Sequence, residues 1–245
     1  MIDIGIGIQA RLSSSRLPAK VLLELNGQSI LKYLIRSCLL TNLPVYLLTS
    51  SKKEDDLIID EIENEKNIAG VFRGSIVNVR SRYMHLAEKY NLKSIIRVTA
   101  DNPFTDTSLF EKFIQKMNTS DCDYITGNPK LVLEGMNSEY FTVEALRNSI
   151  SCSSEGNDVE HVTPWIKKNQ KISFVDPDYQ INDWVKFKEI VHKKTITIDT
   201  LDEYVNSRKI LKGIDLKNGE IASMNKIINC IISNEEWDLS EKKYA

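Results

Sequence analysis

The chain has 245 residues, 42% hydrophobic and 27% charged, enough apolar side chain to close a core as one large domain. A formal net charge of −2 and a pI near 6.0 exclude a global electrostatic pull toward nucleic acid or an anionic membrane, so any phosphate recognition must be local. Cys38, Cys122, Cys152 and Cys230 lack Cys-x-x-Cys spacing and only His85, His161 and His192 accompany them, which argues against a zinc site or a disulfide framework. The N-terminus enters a strand-like run rather than a signal sequence, and no stretch of about 18 uncharged apolar residues occurs. The expectation is a cytoplasmic protein with neither nucleic acid nor membrane as partner.

Hydrophobic spacing alternates between the strand and helix periods, the signature of an α/β sheet with helical crossovers. Strands are expected at Ile4 to Gln9, Val45 to Ser50, Ser94 to Thr99, Tyr124 to Gly127 and Thr195 to Ile198. Helices are expected at Ser29 to Leu40, with Ser29 as cap, and at Asp55 to Asn64, Val77 to Tyr90 and Asp106 to Met117. Beyond residue 128 the pattern loosens. Residues near 128 to 142 and 170 to 192 suggest an antiparallel excursion, while Glu160 to Lys168, Leu201 to Leu211 and Gly219 to Ser233 read as helices, the last with Asn218 as cap. No repeat or Pro/Gly linker divides residues 1–245, so a single domain with an insertion within 128–192 is expected.

The segment after the first strand, Gln9-Ala10-Arg11-Leu12-Ser13-Ser14-Ser15-Arg16-Leu17-Pro18-Ala19-Lys20, gathers Arg11, Arg16 and Lys20 with Ser13 to Ser15 on one loop. Cationic side chains, hydroxyls and backbone N–H groups at a strand's C-terminal end suit polyphosphate. Ser-rich basic loops are also common as solvated surface, and the Gly-x-x-x-x-Gly-Lys pattern is absent, so spacing alone leaves both readings open. Asp101 and Asp199 each follow a β-rich run, where a carboxylate can hold a divalent cation such as magnesium; Asp101 also suits an ordinary turn and Asp199 a helix cap. Asp121-Cys122-Asp123 precedes its strand rather than ending it and reads as a solvated turn. Asn157 or Asp158 is placed to cap a helix, His85 reads as a packing or surface histidine, and Trp165, Trp184 and Trp237 read as core anchors.

The order Gln-Ala-Arg-x-Ser-Ser-x-Arg-Leu-Pro-x-Lys, then Phe72-Arg73-Gly74-Ser75 with Arg82-Tyr83, Arg97-Val98-Thr99-Ala100-Asp101, Glu160-His161-Val162-Thr163-Pro164 and Ile198-Asp199-Thr200, resembles the spore-coat polysaccharide cytidylyltransferase family. That family is similar to the enzymes making CMP-Kdo and CMP-sialic acids, and the resemblance runs from about Ile4 to Tyr204. It implies a Rossmann-like, GT-A-like nucleotidyltransferase fold of three layers, with a mainly parallel sheet and a small antiparallel excursion. The implied activity is CTP-dependent and needs Mg2+: an acidic sugar of the 3-deoxy-ulosonic or nonulosonic type becomes a CMP-sugar for surface polysaccharide or glycan synthesis, and pyrophosphate leaves.

By matching position, Arg11, Arg16 and Lys20 would hold the triphosphate and Asp101 and Asp199 the metal. Gln9, Ala10, Ser13, Arg73, Gly74, Ser75 and Thr99 would contact the nucleotide, and Glu139, Glu160, His161 and Thr163 the acceptor. A homodimer is implied. The alternatives are a nucleotidyltransferase acting on a sugar or alditol phosphate, and a non-catalytic nucleotide-binding relative. Three departures from the family pattern bear on the site: Ala19 in place of a glycine, Asn78 where an aspartate is common, and Leu133-Glu134 where a Pro-Arg pair is usual.

Overall fold

The computed structural model describes residues 3–153, 156–234 and 239–242. Its first half runs β1 (Ile4–Gln9), β2 (Glu24–Leu25), β3 (Gln28–Ser29), α1 (Ile30–Leu39), β4 (Val45–Ser50), α2 (Asp56–Ile62), β5 (Gly70–Gly74), α3 (Val79–Tyr90), β6 (Ser94–Thr99) and α4 (Leu109–Thr119). The second half carries β7 (Tyr124–Gly127), β8 (Glu139–Thr142), α5 (Val143–Cys152), α6 (Asn157–His161), α7 (Pro164–Asn169), β9 (Ile172–Val175), α8 (Trp184–Lys193), α9 (Leu201–Lys212) and α10 (Met224–Ser233).

β1 shows how the sequence sets the layers. Ile6 and Ile8 point to one face and are fully buried, whereas Gly5 and Gly7 leave the other face bare. Tyr83 of α3 therefore lies directly on the strand: a Cβ at Gly7 would stand 2.7 Å from its ring. Its hydroxyl donates to Gly7 O and Gln9 Oε1, both at 3.2 Å. On the opposite face α1 buries Leu31, Leu34, Ile35 and Cys38, and its cap Ser29 accepts from Lys32 N at 3.1 Å. Two hydrophobic clusters result, one including Ile6, Leu34, Phe110 and Ile228, the other Leu48, Tyr83, Leu86 and Phe141, so the molecule has three layers.

The main sheet has the order β5-β4-β1-β6-β8-β7-β9. β5, β4, β1 and β6 are mutually parallel, β8 is antiparallel to both β6 and β7, and β9 is parallel to β7. The chain winds outward from β1 through β4 to β5, then returns to place β6 on the other side of β1. Such a reversal opens a crevice at the strands' C-terminal ends, where α/β sheets bind ligands. The loops after β1 and β6 flank it.

Several expectations are corrected. Thr195 to Ile198 is not a strand of the sheet; it makes one parallel bridge, Thr195 to Glu134, because it lies against loops rather than a strand edge. Its backbone N–H groups donate from Thr195 to Ser240 O, from Ile196 to Glu134 O and from Ile198 to Asp101 O, each at 2.9 Å. Residues 170–192 hold a parallel strand and a helix capped by Asp183 rather than an antiparallel pair; in the main sheet only β8 runs antiparallel to its neighbours. Glu160 to Lys168 is two helices, broken at Val162 with φ 71°. Gly156, not Asn157 or Asp158, takes the cap position of α6. Helix α10 begins only at Met224, and Asn218 packs instead beside Gly27. Asp121 is an exposed turn residue paired with Lys171, and Trp237 lies outside the described residues.

Gly7→Ala should lower stability by about 2 kcal/mol, since the buried Tyr83 ring has no room to retreat. Urea unfolding at neutral pH checks this, and an unchanged midpoint would contradict the packing described.

Candidate active site

The loop after β1 is tied down by its backbone. Ala10 N donates to Leu48 O at 3.0 Å, Leu12 N to the buried Asp55 Oδ1 at 2.8 Å, and Ala19 N returns to Leu12 O at 2.9 Å. Asp55 also accepts from Ser50 Oγ, so one buried carboxylate anchors the loop to the end of β4. Closing the loop places Ala19 at φ 56°, in the left-handed region, at a cost of about 1 kcal/mol for a residue with a Cβ. The next residue is thereby turned inward.

That residue is Lys20, only 7% exposed. Its ammonium donates to Asp101 Oδ2 at 2.9 Å, Asp199 Oδ1 at 2.8 Å and Ile198 O at 2.7 Å, which uses all three of its protons. Arg16 pairs with the other oxygen of Asp199. The helix that follows is capped by Thr200 through a capping box with Glu203, so Asp199 is not needed as a cap and its carboxylate turns to the cations. Burial pushes the Asp101 carboxyl upward, but Lys20 and Thr99 outweigh it and hold the group below the usual range.

Around this cluster lies a cavity of about 550 Å³. Gln9, Ala10, Arg11, Arg16, Lys20, Thr99, Asp101, Glu160, His161 and Asp199 of the expected set line it together. Arg11 bonds Glu160 Oε1 at 3.0 Å. Ser13 is exposed and outside the lining, where Ser14 and Ser15 stand instead. Arg73, Gly74 and Ser75 also lie outside it: Arg73 donates to Ser50 O and Lys52 O and pairs with Asp56, and Ser75 Oγ accepts from Asn78 N. Asn78 caps α3 by accepting from Ser81 N at 2.8 Å, a role in which asparagine equals aspartate.

A second lobe of about 400 Å³ adjoins the first and shares Arg97, Thr99, Asn102, Glu134 and Thr197 with it. Glu139 is its centre. It accepts from Tyr124 Oη and Thr163 Oγ1, each at 2.9 Å, and pairs with Arg97 and with Lys167. Burial works to raise its pKa, yet Arg97 and Lys167 prevail and bring it to about 2. Thr163 thus touches the site through Glu139. Gly135 is required here: at φ +95° a Cβ would stand 2.7 Å from Thr197 N, the segment that delivers Asp199.

The sequence profile described as cytidylyltransferase matches residues 5–221. The chain belongs to the cytidylyltransferase family. It is 32% identical to an uncharacterized protein of Methanocaldococcus jannaschii, covering 98% of this chain and 97% of that one. It is 29% identical to the spore coat polysaccharide biosynthesis protein SpsF of Bacillus subtilis, covering 100% of both. A solved cytidylyltransferase from Leptospira borgpetersenii superposes with a TM-score of 0.82 at 24% identity over 100% of both chains. A CMP:2-keto-3-deoxy-manno-octonic acid synthetase in complex with CTP gives 0.60 at 14%, over 85% of this chain and 98% of that one.

Members of this family are nucleotidyltransferases, and the crevice between β1 and β6 is where this cytidylyltransferase gathers its polar side chains. Several were not assigned a role from the sequence. Asp55 gives no signal beyond a carboxylate at a helix start, and Arg82, Arg97, Asn102, Glu134 and Thr197 reach the cavity only once the sheet is assembled. Asn102 stands next to Asp101, and Glu134 belongs to the Leu133-Glu134 pair that departs from the family pattern.

Glu139→Gln should cost this cytidylyltransferase about 3 kcal/mol at neutral pH, because Arg97 and Lys167 lose a buried partner. The depressed folded pKa sets the sign. The wild-type advantage is fully present above the ordinary value of 4.5 and is lost as pH falls toward about 2. Urea unfolding of both proteins across that window should show the gap closing; a constant gap would contradict the ion-pair cluster.

Proposed function

We propose that the protein transfers the cytidylyl group of CTP to a hydroxyl of an acidic sugar of the ulosonic type, giving a CMP-sugar for surface polysaccharide or glycan synthesis. The observation that carries this reading is the pairing, within one cavity, of a cationic loop with two carboxylates. The acceptor oxygen attacks the α-phosphorus, the bond to the β-phosphate breaks, the hydroxyl proton is lost and pyrophosphate departs. Phosphoryl transfer of this kind depends on positioning and on neutralising charge. Arg11, Arg16 and Lys20 hold the triphosphate and carry the charge that accumulates on the leaving pyrophosphate.

Asp101 and Asp199 fit a magnesium ion. Both carboxylates reach a single point, now taken by the Lys20 ammonium, and magnesium takes one or two protein carboxylates with its remaining positions left to water and phosphate. No group of three or more His, Cys, Asp or Glu suited to a metal occurs among the described residues. When bound there, magnesium would supply Lewis-acid stabilisation of phosphate charge. Lys20 has no spare proton donor while both aspartates hold it, so nucleotide engagement requires it to exchange a carboxylate for a phosphate oxygen.

The second lobe suits the acceptor. Arg97, Lys167 and Lys242 line it against Glu134 and Glu139, a cationic excess that favours an anionic sugar. The name of the spore-coat relative supports a role in polysaccharide synthesis, and that of the CMP:2-keto-3-deoxy-manno-octonic acid synthetase supports an acidic sugar as acceptor. Ile172 and Phe174, exposed on the edge strand β9, support pairing of two copies. No helix among the described residues is long and apolar enough to cross a membrane.

Pyrophosphate release with a panel of ulosonic acids should occur with CTP and magnesium and not with UTP, ATP or GTP; equal turnover with another nucleotide would remove the cytidine assignment. Asp101→Asn should lower kcat by about 10²- to 10³-fold with the fold retained.

A further inference from the structure

Arg82 is 2% exposed, among the largest fully buried side chains, yet it is poorly satisfied. Its Nη1 makes one long bond, 3.3 Å to Leu48 O, and its Nε has no hydrogen-bond partner. Among the described residues no carboxylate forms an ion pair with it. Asp55 is the carboxylate whose field favours its charge, and both oxygens of Asp55 are already taken by Leu12 N and Ser50 Oγ. A buried guanidinium left in this state is costly unless something else pairs with it.

The surroundings make room for Arg82 rather than avoiding it. Gly74 ends β5 without a side chain, and a Cβ there would stand 2.8 Å from Arg82 Cγ. Arg82 lines the same cavity as Arg11, Arg16 and Lys20. Burial pulls the guanidinium below its ordinary pKa and Arg11 adds to that by repulsion, although Tyr83 and Asp55 act the other way. Two guanidinium groups that face one cavity and repel each other favour an anion between them: Arg11 has Glu160 as a partner, but Arg82 has no paired carboxylate among the described residues, and a neutral carbonyl leaves its charge uncompensated.

We propose that Arg82 is a nucleotide-binding residue that, together with Arg11, grips an anionic phosphate oxygen of the bound nucleotide from the β4 side of the crevice. This rests on the cytidylyltransferase reading and extends it. Lys20, Asp101 and Asp199 hold the β6 side, and Arg82 closes the opposite side. The fork of its guanidinium offers two parallel donors to one phosphate. Its burial without a counter-charge suits a position that receives an anion.

The test compares the wild-type protein with Arg82→Met and Arg82→Lys by calorimetric titration with CTP, CMP, pyrophosphate and cytidine in the presence of magnesium, alongside thermal unfolding without ligand. Arg82→Met should unfold at the wild-type temperature or above it, because a buried unpaired charge has been removed. It should bind CTP at least tenfold more weakly, with loss also for CMP or pyrophosphate according to which phosphate is held, and bind cytidine unchanged. Arg82→Lys, which keeps the charge and loses the fork, should fall between. Equal CTP affinity in all three proteins overturns the proposal, and so does a loss for cytidine as large as that for CMP, which would place Arg82 at the base or ribose. A large drop in the ligand-free unfolding temperature of both variants, with CTP affinity kept in Arg82→Lys, also overturns it in favour of a structural role. If the wild-type protein itself does not bind CTP, the cytidylyltransferase reading fails instead.

Discussion

A buried ammonium between two carboxylates is the interaction on which the site depends. Asp101 follows β6 and Asp199 comes from a segment almost a hundred residues later, and two carboxylates at such close range repel unless a cation stands between them. Lys20 supplies that cation from a third segment, the loop after β1. The same ammonium holds Ile198 O, and Ile198 N holds Asp101 O, so three distant parts of the chain close on one another. Removing the lysine would leave the carboxylates to separate; retaining it holds them on one point.

The backbone bears strain where this closure requires it. Ala19 lies in the left-handed region immediately before Lys20, and Val162, a β-branched residue, takes a positive φ in a tight turn, closed by a hydrogen bond from Thr163 N to His161 O, between His161, which faces the cavity, and Thr163, which holds Glu139. A β-branched residue at positive φ is a genuine outlier and persists only where its surroundings fix it. Val162 is fully buried, and that packing is what fixes it. At Ala19 the loop's hydrogen bonds to Leu12 and Asp55 do the same work, so the departure from glycine leaves the loop in the conformation that glycine would adopt easily.

Much of this was legible in the sequence because it is local. The periods of β1, β4, β6 and β7 and of α1, α3 and α9 follow from alternation and helical spacing, and the cationic loop and the two aspartates are contiguous motifs. What was not legible depends on partners. Thr195 to Ile198 has the composition of a strand but no strand edge to join, and β8 and β9 are short segments whose pairing only the assembled sheet decides. The β2–β3 hairpin carried a usable signal, Asn26-Gly27, with both residues at positive φ as that turn demands. Arg82 is the opposite case: its helix was foreseen, but a charged residue in a helical pattern reads as solvent-facing until Gly74 and the end of β4 enclose it.

On the proposed function, the loop cations and the paired aspartates are two halves of one nucleotide site. A crystal structure with magnesium and a CTP analogue resistant to transfer tests it most directly. The metal is expected on Asp101 and Asp199, the triphosphate along Arg11 and Arg16, and the Lys20 ammonium moved from at least one carboxylate to a phosphate oxygen. A nucleotide bound elsewhere, or a metal held away from both aspartates with Lys20 still between them, would contradict it.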